Sequence, residues 1–208
     1  MRTLVRGTVG LLWLIAIGAA VTHLLGVLPP REMQARLGGP ELFETHFADF
    51  ARNPLSTYIH MVSGIVLAAL MPVQFSERLR RTHLSLHRAA GKLLVGSGVL
   101  AAATGAYFSI VMPFGGVAET LLVVPMAAFF VWCLVRGVRL AQAGQVQWHR
   151  RWMIRAMAVA LGVATQRVLF SLAMMLLSWP AREAFWISIA AAFALNLAVA
   201  ESFLRRRT

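Results

Sequence analysis

Histidines at the ends of apolar segments are the residues of this chain most suited to chemistry. His60 and His23 each lie about five residues from the outer end of an apolar run. His87 and His149 stand at the start of two other runs. Neutral imidazole is the commonest protein ligand for metals, and haem b in a helix bundle takes two of them. The spacing predicts an outer level, His60 with His23, and an inner level, His87 with His149; His60, His87 and His149 are the candidate metal ligands.

Arg167 is the one cation placed deep within an apolar segment, away from its basic ends. It follows His149 by 18 residues, which is about five helical turns, so both side chains project from one helical face about 27 Å apart. A guanidinium in that setting needs an anion or several carbonyls. Two interpretations are open: a clamp for a haem propionate, a quinone oxygen or a carboxylate substrate, and a structural ion pair with Glu119. Gln74 shares a face with His60 and joins the candidate site.

Other interpretations of the polar residues stay open. His83 and His87 have the spacing of a helical metal chelate, but the arginines around them oppose a bare cation and favour hydrogen bonds to phosphate headgroups. Cys133 has no partner cysteine and is predicted to be a small core residue. The sequence contains no phosphate-binding glycine loop, no HExxH and no Gly-x-Ser-x-Gly, and whether the protein is an enzyme is left open.

The elements that must position these residues are membrane-length helices. Apolar residues make up 59% of the chain, charged residues make up 13%, and the mean hydropathy is +0.69. No region alternates apolar and polar residues as a barrel strand does. The sequence predicts an all-α integral membrane bundle, one domain over 1–208, in which six apolar runs each reach the length needed to cross a bilayer. The runs are 8–28, 56–76, 89–112, 117–140, 152–178 and 184–203.

Charge fixes the predicted orientation of the bundle. Of 20 lysines and arginines, 15 fall in the segments on the side of the N-terminus and 4 fall on the other side. The positive-inside rule then places both termini in the cytoplasm and predicts anionic lipid headgroups as partners at that face. The net charge of +12 has no stacking or groove-reading pattern beside it, so nucleic acid is not an expected partner.

Connections and small residues complete the expected architecture. The first outer loop, 29–54, carries a predicted short amphipathic helix at 40–53. The basic start of the chain resembles a signal peptide, yet its apolar run is long, which favours a retained first span over cleavage near residue 20. Gly91, Gly98 and Gly105 mark one face of the third run for close helix contact. A tight turn at 113–116 predicts an antiparallel hairpin between the third and fourth runs.

Four motifs of the chain together resemble those of the DUF2306 family of bacterial multi-pass membrane proteins. They are IHMVSG at 59–64 with QF at 74–75, LHRAAGK at 86–92, HRRWMIR at 149–155, and Arg167. The resemblance covers roughly 55–170 and implies a membrane bundle without supplying an activity. The chain departs from the family pattern where Met71-Pro72-Val73, rather than Gly-Pro, precedes Gln74-Phe75.

Three hypotheses for function follow. The first is an electron-transfer protein of the bacterial inner membrane that binds haem b or a quinone through His60, His87, His149 and Arg167. The second is a small-solute transporter with Arg167, Gln74 and His60 along a polar path. The third is a non-catalytic assembly or interaction partner of a respiratory complex, or a homo-oligomer.

Overall fold

A computed structural model describes residues 48–206 continuously, together with positions 7, 9–15, 17, 18, 21, 25 and 44. The continuous part contains five long helices and one short helix, preceded by a helical stretch at 48–52. In chain order they are α1 (Pro54–Phe75), α2 (Glu77–Thr82), α3 (Leu84–Val111), α4 (Val117–Gln142), α5 (Val146–Leu177) and α6 (Ala181–Arg205).

The five long helices are each long and apolar enough to cross a membrane. Their outer surfaces carry large apolar side chains, such as Leu55, Val117 and Leu176, which are 73–74% exposed. Lipid, rather than water, is the solvent that suits such a surface. The predicted all-α membrane bundle is therefore confirmed for five spans. Of the sixth, predicted at 8–28, positions 9–15, 17, 18 and 21 are helical, and the rest lies outside the described residues. The same holds for the amphipathic helix at 40–53, of which 44 and 48–52 are helical.

Short connections make consecutive long helices antiparallel neighbours. Contacts join α1 to α3, α3 to α4, α4 to α5, and α5 to α6. Ser76 separates α1 from α2 and caps α2, since its hydroxyl accepts from the Leu79 N–H at 3.2 Å. The predicted hairpin between α3 and α4 is confirmed, and Gly116 takes φ +70° there, a conformation that suits glycine.

The two ends of the bundle differ in charge. We call the end that holds α2 and the start of α5 the basic end, and the opposite one the far end. In the described chain the basic end carries the arginines and lysines of α2, of the first turns of α3 and α5, and of the last turns of α4 and α6. The acids at the basic end are Glu77 and Glu201, whereas Asp49, Glu119 and Glu183 lie at the far end.

The centre of the bundle is a closed apolar layer. Leu94 of α3, Cys133 and Leu134 of α4, and Ala156 of α5 are each 0% exposed, and Leu67 and Met71 of α1 pack in the same cluster. Cys133 is a core residue, as predicted. Gly98 lets α3 and α4 approach this layer, because a Cβ there would lie 2.9 Å from a Leu134 methyl group.

Pro72 interrupts the hydrogen bonds of α1 without ending the helix. Proline has no N–H, so the Ala68 carbonyl four residues earlier loses its intrahelical donor. The Trp13 indole N–H fills that vacancy and donates to the Ala68 carbonyl at 2.6 Å. The N-terminal apolar segment is thereby attached to α1 at the position that needs a donor.

We expect Trp13→Phe to lower the free energy of unfolding by about 0.5–1.5 kcal/mol, because a carbonyl within the membrane loses its donor. In a Pro72→Ala background the backbone supplies its own N–H, and the cost of Trp13→Phe should shrink. Thermal unfolding of the four proteins in detergent measures both costs. Equal costs in the two backgrounds would show that Trp13 contributes packing alone.

Candidate functional site

The His149 ring is held by the backbone of a neighbouring helix. His149 lies in the first turn of α5, and its Nδ1 is 2.8 Å from the Gly137 carbonyl oxygen of α4. A carbonyl only accepts, so Nδ1 carries the hydrogen and the lone pair is on Nε2. Gly137 also lets α5 pack closely against α4 beside this contact, since a Cβ there would lie 2.8 Å from the Met153 sulfur and 3.7 Å from His149 Nδ1. His149 therefore presents an acceptor nitrogen of fixed orientation.

His87 lies in the first turn of α3 and interacts electrostatically with His149 across the basic end. Its Nδ1 is buried and has no hydrogen-bond partner among the described residues. The Gln74 amide donates to the His87 backbone carbonyl at 3.1 Å, which ties the end of α1 to the start of α3. Gln74 thus positions the backbone that carries His87, whose Nδ1 is left without a hydrogen bond to the described residues.

Positive charge surrounds the His87–His149 pair. Arg80 of α2 and Arg88 of α3 both act electrostatically on the His87 ring. Arg151 stacks on Trp148, with its guanidinium carbon 5.1 Å from the ring centroid. Such a field disfavours a bare metal cation and favours an electron-rich oxygen or an anion.

His60 lies at the far end, away from that pair. Its Nδ1 is 2.9 Å from the Thr104 hydroxyl of α3, and its ring meets Phe108 edge-to-face at 5.4 Å. Thr104 donates to the Leu100 carbonyl at 2.7 Å, so it accepts from His60 Nδ1–H. Thr104 follows His87 by 17 residues, which places the two imidazole levels about 25 Å apart along α3.

This separation rules out one metal centre built from His60, His87 and His149. No group of three metal-ligating side chains comes together in the part of the chain that is described. His83 is the N-cap of α3 rather than part of the helix, so the proposed His83–His87 helical chelate is absent. His23, the predicted outer partner of His60, lies outside the described residues.

Arg167 lacks the ion pair that one interpretation gave it. Its side chain is exposed, and no described residue pairs with it. Glu119, the predicted partner, is buried and accepts from the Gly115 N–H at 2.7 Å. The Glu119 carboxylate therefore caps the hairpin before α4. The predicted ion pair is wrong because the turn offers the carboxylate a closer partner.

The predicted polar path is interrupted in this conformation. Gln74 and His60 stand at opposite ends of α1, 14 residues and about 21 Å apart. The closed layer around Leu94, Leu134 and Ala156 lies between the two levels. The closed layer thus separates the His60 side chain from the Gln74 side chain.

The sequence alone did not indicate three polar contacts that organise the bundle. These are the Trp13–Ala68 bond, the ion pair of Arg155 with Glu201, and the bond from Asn196 to the Ala158 carbonyl. Pro72 was a signal for the first, since it predicts a carbonyl without a donor. The other two join helices that sequence periodicity cannot pair.

The family described as "Predicted membrane protein (DUF2306)" matches residues 57–204, more than half of the chain. The chain belongs to the DUF2306 family. The match spans α1 to α6 of this DUF2306 protein and includes His60, His87, His149 and Arg167. No curated protein and no solved structure matches the chain. The family and the five apolar helices make it a multi-pass membrane protein.

Proposed function

We propose that this protein binds the headgroup of a membrane quinone between His87 and His149 and serves electron transfer in the bacterial inner membrane, with its basic end in the cytoplasm. One observation carries the proposal: His149 offers a fixed acceptor nitrogen and interacts electrostatically with His87, whose buried Nδ1 has no hydrogen bond to a described residue. A quinol hydroxyl both donates and accepts, so the two imidazoles complement it. Once its ring turns toward the ligand, His87 Nδ1–H would donate to one oxygen, and His149 Nε2 would accept from a hydroxyl.

The surroundings of the pair suit an amphipathic ring compound. Both histidines lie in first turns at the membrane boundary, where a quinone headgroup can meet them while its tail stays in lipid. The exposed apolar side chains of Leu84 and Leu86 beside His87 offer a surface for that tail. The arginines near His87 favour oxygens with excess electron density.

Haem b is the second candidate, and His149 favours it. A haem-ligating histidine usually donates its other N–H to a carbonyl, as His149 does to Gly137. His87 fits haem less well. Ligation through Nε2 would leave its buried Nδ1–H without an acceptor. We therefore place quinone before haem.

Titration of the detergent-purified protein with a short-chain quinone tests the proposal, since quinones quench the fluorescence of nearby tryptophans such as Trp148. We expect His149→Phe and His87→Phe each to weaken binding about tenfold or more, because each removes a hydrogen bond to the headgroup. His83→Phe, an exposed position next to the site, should leave the affinity unchanged.

Two results would overturn the quinone assignment. One is an affinity that stays unchanged in His87→Phe and in His149→Phe, which would indicate non-specific partitioning of the quinone. The other is a Soret band after haem-replete expression that His149→Phe abolishes, which would establish the haem alternative. An absorbance spectrum without a Soret band, together with quinone binding lost in His87→Phe, supports the proposal.

A further inference from the structure

Arg167 lies near mid-membrane depth on α5. It precedes the end of α5 by 10 residues, or about 15 Å, and follows Arg155, the nearest charged residue of the helix, by 12 residues, or about 18 Å. The hydrocarbon core is about 30 Å thick, so Arg167 stands near its middle. The sequence placed this arginine near the outer boundary. The predicted run ends at residue 178 and α5 ends at Leu177, so the far end of the helix has not moved, and Arg167 lies about 15 Å from that end.

Snorkelling does not relieve the charge at this depth. The Cα–Cβ bonds of a helix tilt toward its N-terminus, which for α5 is the basic end. Arg167 therefore leans away from the nearer boundary, and about 15 Å of helix separates it from the far end, more than an arginine side chain spans. A guanidinium held this deep is expensive unless an anion or a polar partner meets it.

The side of α5 that carries Arg167 is the side that packs in the core. Steps of three and four residues along α5 define one stripe, and its members are His149, Met153, Ala156, Ala160, Val163 and Arg167. Ala156 is 0% exposed and sits in the closed layer, whereas Val163 is 51% exposed and Arg167 is also exposed. The helices that cover Ala156 therefore diverge before they reach the level of Val163.

The opening is narrow. Between Ala156 and Arg167 the residues off the stripe are buried, with Ala164 at 0%, Thr165 at 5% and Gln166 at 8% exposed. Thr165 and Gln166 face α6 through bonds to Asn196 and Ser188. A lipid-facing side of α5 would expose more positions than these two. This pattern indicates a narrow cleft between helices, with Val163 and Arg167 as its exposed members, on the far-end side of the closed layer.

We propose that this cleft is a second ligand site, in which Arg167 binds the carboxylate or phosphate head of an amphipathic anion. The guanidinium fork matches either head with two parallel hydrogen bonds. Val163, one turn toward the basic end, packs against the apolar part of the ligand. The site lies on the other side of the closed layer from His87 and His149, so it does not depend on the quinone proposal.

Thermal unfolding in a neutral detergent tests the site with three probes: oleate, phosphatidylglycerol and uncharged oleyl alcohol. We expect the wild type to be stabilised by oleate, by phosphatidylglycerol or by both, and not by oleyl alcohol. Arg167→Leu should bind the anion about tenfold more weakly or worse. Arg167→Lys keeps the positive charge but lacks the two parallel N–H donors of the guanidinium. Its affinity for the anion should lie between those of the wild type and Arg167→Leu. Arg182→Leu, which removes an exposed arginine at the far end, should behave as the wild type does.

The probes also identify the source of the anion. A response to oleate alone indicates a free carboxylate, and a response to phosphatidylglycerol alone indicates a lipid phosphate. The proposal is overturned if neither anion stabilises the wild type. It is also overturned if oleyl alcohol acts as well as oleate, or if Arg167→Leu responds as the wild type does. If Arg167→Leu does not accumulate, Arg167→Lys takes its place in the test. A stabilisation of Arg167→Lys by the anion equal to that of the wild type would then overturn the role given to the two parallel hydrogen bonds of the guanidinium.

Discussion

Gly98→Leu is expected to lower the free energy of unfolding by at least about 2 kcal/mol, since overpacking a closed core typically costs 1–3 kcal/mol. Even a Cβ at this position would lie 2.9 Å from Leu134 and 3.2 Å from the ring of Phe130. Those two side chains are 0% and 5% exposed, so neither can move aside without displacing the rest of the layer. α3 and α4 would have to separate at the centre of the bundle.

Gly96→Leu is the matched control for this prediction. Gly96 lies two residues away on α3, is exposed, and has nothing within 4 Å of the position a Cβ would take. It gains the same side chain and the same helix propensity without the clash. Thermal unfolding in detergent should separate the two variants clearly. Similar losses in both would mean that backbone effects, rather than packing against Leu134 and Phe130, determine the cost.

Breaking the ion pair between Arg155 and Glu201 should cost about 2 kcal/mol. The pair is bidentate, with Arg155 Nε 2.5 Å from one Glu201 oxygen and Nη2 2.9 Å from the other. Removing one partner of a buried pair costs 3–5 kcal/mol; we lower the figure to about 2 because Glu201 is 38% exposed. Glu201→Gln leaves the guanidinium, 18% exposed, with only the Trp152 ring and weaker hydrogen bonds.

A double-mutant cycle isolates the interaction. Arg155→Met combined with Glu201→Gln should cost clearly less than the sum of the single changes. The pair of Arg81 with Glu77 supplies the comparison at the same end, because its side chains are 77% and 63% exposed. Glu77→Gln should cost less than about 0.5 kcal/mol. Additive costs at Arg155 and Glu201 would show that the pair does not hold α5 to α6.

Apolar length was sufficient to predict the five described spans, but it placed the starts of α3 and α5 too late. α3 begins at Leu84 and α5 at Val146, about five residues before the predicted starts. Hydropathy detects only the part of a helix that lies in lipid, whereas the backbone continues its hydrogen bonds through interfacial residues such as Ser85 and Gln147. His87 and His149 consequently lie within helices rather than ahead of them.

The sequence predicted which residues share a helical face, but not what that face meets. The common stripe of His149 and Arg167 follows from helix geometry alone. Two features depend on which helices are neighbours and on how they diverge. One is that Gly137 of α4 holds the His149 ring. The other is that the bundle closes over Ala156 and opens at Val163. One sequence carries no information on those distances, so the surroundings of Arg167 could not be predicted from it.

The bond from Trp13 to Ala68 has a consequence for biosynthesis. A translocon delivers segments in order, so the indole has been made and inserted before Pro72 leaves the ribosome. The Ala68 carbonyl that Pro72 leaves without a donor can thus be hydrogen-bonded as soon as α1 enters lipid, because the Trp13 indole is already there. Chains that lack Trp13 would carry an open carbonyl through insertion, which makes yield in the membrane, as well as stability after purification, sensitive to this tryptophan.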